Sequence, residues 1–278
     1  MFHHFDHRWA TFNGEDSSDY TDADKCDPCR YALPRYWVIA EEVKAALQNV
    51  STTNYEWLIG FRNVSNTTNE RTFVTSPIPL SGVGNSSPIL FPTGQQSHHA
   101  AFYATLTSFV FDWITRSSMG GVNLNFYIVC QLPALPPTAF DDKSPWTDHR
   151  SIRDWLMPYI LELVYTAEDL APFAHDCGYS GRPFRWDVQR RAMLRTELDA
   201  AFFHLYGLSK SDADYILDAF PITKRKDESQ YGEYRTKRLI LEAYDAMADA
   251  IRTSRPFQTK LDPPPADPRC AHPAAARA

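Results

Sequence analysis

The sequence predicts a mixed α/β region followed by an all-helical one, and three observations carry that division. Between residues 55 and 140, short apolar or alternating runs are bounded by Pro, Gly, Asn and Ser, the punctuation of strands. After Pro145 the apolar residues recur at spacings of three and four, the period of a helix. Prolines mark the junction (Gln131-Leu-Pro-Ala-Leu-Pro-Pro) and return in the tail, with five between 256 and 268. The expected divisions are a polar segment at 1–30, an α/β domain at 31–140, a helical subdomain at 145–253 and a Pro/Ala-rich tail at 254–278.

Taken in order, residues 1–30 are acidic, small and without a periodic apolar face, which predicts loop or frayed terminus. Glu41 to Leu47 reads as a short helix. The run 55–64 reads as a buried strand, Arg71 to Pro79 as a β-branched strand ended by prolines, and Ser87 to Phe91 as a third. One helix is expected over Gln95 to Arg116, with Phe102, Leu106, Phe109, Val110 and Trp113 on its apolar face. Asn125 to Val129 reads as a further strand.

Ile152 to Ala174 reads as one long helix with a bend at Pro158. Asp187 is a good N-cap for Val188 to Tyr206, with Leu194, Leu198, Ala201, Phe202 and Leu205 inward and Gly207 as stop. Ser209 and Asp212 form a capping box for a helix reaching Phe220. The last helix is expected over Gly232 to Thr253, with Leu239, Ile240, Ala243, Met247 and Ile251 inward; from Arg255 the tail should be extended or disordered.

Composition narrows the function classes. At 278 residues and 44% hydrophobic, the chain can bury a core, so disorder is excluded for most of its length. It never strings together the roughly 18 apolar residues of a membrane span. The opening MFHHFDHRWATF lacks a secretory pattern, and five cysteines suit a reducing cytoplasm, the expected location. With 28 Lys+Arg against 34 Asp+Glu, net −6, any DNA contact must come from local patches.

Motifs of common enzymes fail on context. Gly82-Val-Gly84 is followed by Pro88 and a strand-like run, where a nucleotide loop needs a helix. Asp262-Pro-Pro-Pro265 resembles an amino-methyltransferase motif but has Pro where an aromatic must stack, so no catalytic residue is assigned. Cys26-Asp-Pro-Cys29 has no second pair, and the histidines lack ligand spacing, so no metal site is expected.

Two polar constellations remain. Arg62-Asn63-Val-Ser65-Asn66-Thr-Thr-Asn69-Glu-Arg71 is rich in the side chains that bond base edges, and Arg62, Asn63, Asn66, Asn69 and Arg71 are candidates for base readout; an ordinary hairpin loop is the plain alternative. Lys224, Arg225, Lys226, Arg235, Lys237 and Arg238 are candidates for phosphate contact. Residues 221–241 hold these six bases against Asp227, Glu228 and Glu233, a local +3; a solvated helix entrance is the alternative.

Tyr36-Trp-Val, Trp57-Leu-Ile-Gly-Phe-Arg-Asn-Val and Thr68-Asn-Glu-Arg-Thr-Phe-Val together resemble the target-recognition region of large adenine-specific (N6) DNA methyltransferases of type IIG restriction–modification and phage-defence systems. Gly120-Gly-Val-Asn123-Leu-Asn125-Phe-Tyr-Ile-Val-Cys-Gln-Leu-Pro resembles the segment that closes such a region, and adds Asn123 and Asn125 as readout candidates. Leu198 to Leu208, Asp214 to Asp218 and Gly232 to Ile240 resemble the family's helical part, and Met1 to Arg8 a stretch following its methyltransferase domain. The resemblance implies an α/β target-recognition domain with an all-helical C-terminal subdomain, acting on double-stranded DNA. The family's cofactor and Asn-Pro-Pro-Tyr motifs are not in this chain. Recognition without transferase chemistry is therefore implied, with S-adenosylmethionine expected only in an upstream domain. A methyltransferase chain or other defence-system subunits are expected partners, and a membrane is not. The competing expectation is a protein–protein docking or scaffold module with no base readout of its own.

Overall fold

The computed structural model describes residues 1–50, 55–147 and 149–273. It has a mixed α/β part followed by a helical one, with eleven helices and five short strands among those residues. The N-terminal segment, expected to be loose, is instead held firmly. Strands β1 (Ala10–Asn13) and β2 (Asp16–Asp19) form an antiparallel hairpin, and the single turn α1 (Asp22–Lys25) follows under a Thr21–Asp24 capping box. Asp6 pairs with Lys25 at 2.7 Å and His7 with Asp169 at 2.8 Å. The fully buried Arg8 donates to the carbonyls of Lys25, Asp27, Arg30 and Thr166 at 2.7–3.0 Å. Several of these partners lie some 160 positions away, so no local periodicity announces them.

Helix α2 (Ala40–Gln48) has no buried residue and follows an exposed apolar run, Tyr36 to Ile39. Strand β3 (Trp57–Phe61) is buried at every position and sits between β4 (Thr75–Pro79) and β5 (Ile89–Leu90), both antiparallel to it. The expected single helix over 95–116 is two: α3 (Gln96–Thr107) and α4 (Phe109–Ser118). Ser108 breaks them with an extended backbone, and its side chain accepts from Phe111 N; Asp199 accepts from Phe109 N at 2.8 Å. Two caps at one point outweigh the continuous apolar stripe. The expected strand at 125–129 is the helical turn α5 (Phe126–Val129), which has no sheet neighbour to complete its ladder.

In the helical part α6 (Ile152–Val164) accommodates Pro158 and ends at Tyr165; α7 (Ala171–Asp176) is a separate helix after a 3₁₀ turn. Helix α8 (Val188–Leu205) begins at the expected Asp187 cap and α9 (Lys210–Asp218) at the expected capping box. Pro221 then opens an unexpected helix, α10 (Pro221–Tyr231), before α11 (Arg235–Thr253). Ala250 takes the inward place expected for Ile251, which is exposed. One buried cluster runs from Trp57, Phe61, Phe73 and Phe111 through Trp155, Leu163 and Phe202 to Ile240 and Met247.

The tail to residue 273 takes the extended alternative, with one 3₁₀ turn at Pro268–Cys270, and is tied to the helices; 274–278 lie outside the described residues. Phe257 N donates to Trp146 O at 2.8 Å, and Glu197 accepts from Thr259 and Lys260. Glu162 accepts from Ala266 N, and His272 N donates to Pro183 O, both at 2.8 Å. Proline keeps this strap out of helices and sheets, but its remaining N–H groups find buried acceptors.

Candidate nucleic-acid surface

The polar loop 62–71 leaves β3 and returns towards β4. Residues 122–124 reach it from the other side: Leu124 N donates to Asn63 O at 2.7 Å, Ser65 N to Val122 O at 3.0 Å, and Val64 and Asn123 form an antiparallel bridge. Two segments some sixty positions apart, each singled out for its asparagines, are thus laced by backbone hydrogen bonds. Asn69, Asn123 and Asn125 are exposed on this structure. Val64, Val122, Phe126 and Tyr127 are exposed beside them. A strand reading of 125–129 hid the last two; the signal was Asn125, a helix-start residue type, which sits at the N-cap position of α5.

The other loop candidates face inward. Arg71 Nε binds Asp112 at 2.8 Å, its Nη2 reaches Thr107 O, and its guanidinium lies 4.1 Å from the Phe109 ring. Asp112 also accepts from Thr72 N and Phe73 N, each at 2.8 Å. Arg71 is therefore a structural residue and is withdrawn from base readout. Arg62 spends its guanidinium on Phe2 O, and burial lowers its pKa. Asn66 caps its own turn by accepting from Thr68 N at 3.0 Å, and Asn63 Oδ1 is buried. Short polar side chains bond local backbone as readily as they bond bases, which is why composition could not separate the two.

The basic cluster is close by. Arg116 joins loop to helices by donating to Asn69 O, Glu70 O and Ala219 O, and Lys226 of α10 pairs with Glu70. The fold changes its charge, however. Lys237 is gripped by Asp214 and Asp218, both at 2.8 Å, and Arg238 by Glu233 and Glu242 at 2.8 and 2.7 Å. Glu70, Asp214, Asp218 and Glu242 lie outside the stretch and cancel its excess. Arg235 stands 4.7 Å from the Tyr231 ring. Lys224 and Arg225 are exposed with no carboxylate partner among the described residues, and Arg225 shares with Lys226, Ile222, Ser229 and Gln230 a shallow depression of about 470 Å³.

The Gly82–Gly84 loop does not fit S-adenosylmethionine. A Cβ at Gly82 would meet Val38 Cγ2 at 2.6 Å, so the glycine serves close packing against the 36–39 run, and β5 follows it where a helix would be needed. Cys26 donates to Asp22 O at 3.3 Å, and among the described residues no group of three His, Cys, Asp or Glu is placed to hold a metal. Nor is any helix among them long and apolar enough to cross a membrane. Compared with known proteins, the chain matches no family model, no curated protein and no solved structure.

Proposed function

We propose that the chain is a DNA target-recognition module serving an adenine-N6 methyltransferase of a restriction–modification or phage-defence system. The methyltransferase chemistry, and its S-adenosylmethionine, belong elsewhere. The observation that carries the reading is the lacing of 62–65 to 122–124, which turns two distant polar segments into one surface. Asn69, Asn123 and Asn125 are the exposed amides on it, and an Asn amide can bond adenine bidentately in the major groove. Lys224 and Arg225, on the helix tied to Glu70, are the unpaired bases nearest in the fold's connectivity and suit phosphate.

Fluorescence anisotropy on a panel of duplexes tests this. Asn123→Ala or Asn125→Ala should cost about 1–3 kcal/mol on the preferred duplex and much less on others. Variants that melt like wild type and bind the preferred duplex equally well would refute it. A second reading, docking to a partner chain, draws on Tyr36, Trp37, Val38 and Ile39, which are 57–76% exposed. Under that reading Trp37→Asp abolishes partner capture, and no duplex is preferred by the wild type.

A further inference from the structure

The laced surface has no charge left over for a ligand. Its first segment, 62–71, holds Arg62, Glu70 and Arg71, and its second, 117–131, holds no charged residue at all. Each of the three already has a protein partner: Arg62 donates to Phe2 O, Arg71 binds Asp112 at 2.8 Å, and Glu70 pairs with Lys226. Arg116, which reaches the loop from α4, donates to Asn69 O, Glu70 O and Ala219 O. Guanine is read by a free guanidinium or ammonium and cytosine by a carboxylate. These segments offer neither without a protein partner.

What they expose is amide beside hydrocarbon. Val64 and Asn123 are opposite partners in the antiparallel bridge. Opposite residues of such a pair put their side chains on one face, with Cβ atoms about 4.5–5.5 Å apart. The hydrogen bonds from Leu124 N to Asn63 O at 2.7 Å and from Ser65 N to Val122 O at 3.0 Å fix that register on both sides. Val64 is 64% exposed, and Asn123 is exposed with it. Val122 and Phe126 extend the exposed hydrocarbon, and the Phe126 ring is held edge-on to Phe61 at 5.6 Å between centroids. The surroundings suit a polyanion: Lys226 and Arg116 fasten the loop to α10 and to the residue pair before it, and Lys224 and Arg225 of that helix are exposed.

In the major groove an adenine–thymine pair shows adenine N7 and N6–H₂ beside the thymine methyl group. An amide bonds the first two bidentately, and an apolar side chain covers the third. A guanine–cytosine pair has no methyl group to cover.

We infer that this surface reads an adenine–thymine pair, with Asn123 on the adenine edge and Val64 on the thymine methyl of the same pair. The inference rests on the target-recognition reading and names the base pair that such a module reads.

The test deletes single groups from the DNA. The duplex preferred by the full chain is selected from a randomised pool, and binding is followed by fluorescence anisotropy. Deoxyuridine in place of one thymine should weaken wild type about fourfold, the worth of one buried methyl. It should leave the affinity of Val64→Ser unchanged. At the paired adenine, 7-deazaadenine should weaken wild type about fivefold, the worth of one hydrogen bond, and leave Asn123→Ala unchanged. The base analogues act on unaltered protein, so these losses do not depend on how a variant folds. A preferred duplex whose discrimination lies only at guanine–cytosine pairs, or in which no thymine methyl matters, would overturn the inference and leave the module reading standing. So would a deoxyuridine loss of equal size in Val64→Ser. No preferred duplex at all would overturn both.

Discussion

The two positively charged regions of this protein are built in opposite ways. Along α10 and α11 the bases are consecutive or nearly so, and acids meet them there: Glu70 of the 62–71 loop meets Lys226, Asp214 and Asp218 of α9 meet Lys237, and Glu242, one turn on in α11, meets Arg238. Around residues 2–8 the arginines Arg8, Arg62 and Arg191 come from distant parts of the chain, and each donates to backbone carbonyls instead of meeting acids. A run of basic residues is exposed and attracts counter-charges; an arginine reaching inward must be used or left for a ligand. The apparent patch is thus brought close to neutral by folding, while the buried arginines spend their charge on backbone carbonyls.

The comparison breaks most readily at Asp112. It is fully buried and serves Arg71 Nε and two backbone N–H groups, so Asp112→Ala leaves a buried cation and two donors unpaired. The expected loss is about 3–5 kcal/mol in urea unfolding. A loss under 1 kcal/mol would mean that Arg71 is satisfied by solvent and Thr107 O without Asp112.

Acid separates the regions next. Burial, then the charge of Arg62, pushes the His3 pKa down to about 4. Unfolded histidine titrates near 6.5, so the unfolded state takes the proton first. Stability from this group is full above pH ~6.5, falls as pH drops towards ~4 and levels below, a loss of about 3 kcal/mol. Asp199 works the other way. Burial raises its pKa to about 6, so the folded state holds that proton more tightly and gains stability as pH falls from ~6 towards ~4. His3→Gln should flatten the acid limb of the stability curve and Asp199→Asn should steepen it. The α10–α11 carboxylates Glu233 and Glu242 are held below their usual range by Arg238 and, for Glu242, first by Lys260, so their contribution is lost only at lower pH. Identical acid limbs in wild type and both variants would contradict this division.

What was legible in the sequence follows the same line. Helices α8 and α9 begin where Asp187 and Ser209 say they should, because a cap and an apolar stripe are local facts. Strand β3 is legible for the same reason, being apolar throughout. The hairpin of the N-terminal segment and the anchoring of the extended tail are not legible, because their hydrogen bonds go to residues such as Thr166, Trp146 and Glu197, which no window contains. Helix α10 was missed because its residues are polar all round, and α3–α4 were merged because Ser108 carries no Pro or Gly to mark the break. Of the site, the asparagines were legible by type; that Arg71 turns inward while Asn123 turns outward was not, since only packing decides it.

The smallest expected effect is also the sharpest test of charge cancellation. In the linear sequence Lys224, Arg225, Lys237 and Arg238 are equivalent bases. In the fold, Lys237 is largely covered and bound to two aspartates, and Arg238 to two glutamates, whereas Lys224 and Arg225 are exposed and unpaired. A base already neutralised by protein releases no counterion from DNA when it approaches phosphate. Lys224→Gln and Arg225→Gln should each lower the slope of log affinity against log salt by about one unit. Lys237→Gln and Arg238→Gln should leave the slope unchanged while modestly lowering the melting temperature, because each strands carboxylates that repel one another. If all four variants lower the slope alike, the pairs open on contact with DNA and sequence-local charge is the better guide to this surface. If none does, phosphate is met elsewhere on the protein and this surface is not its binding face.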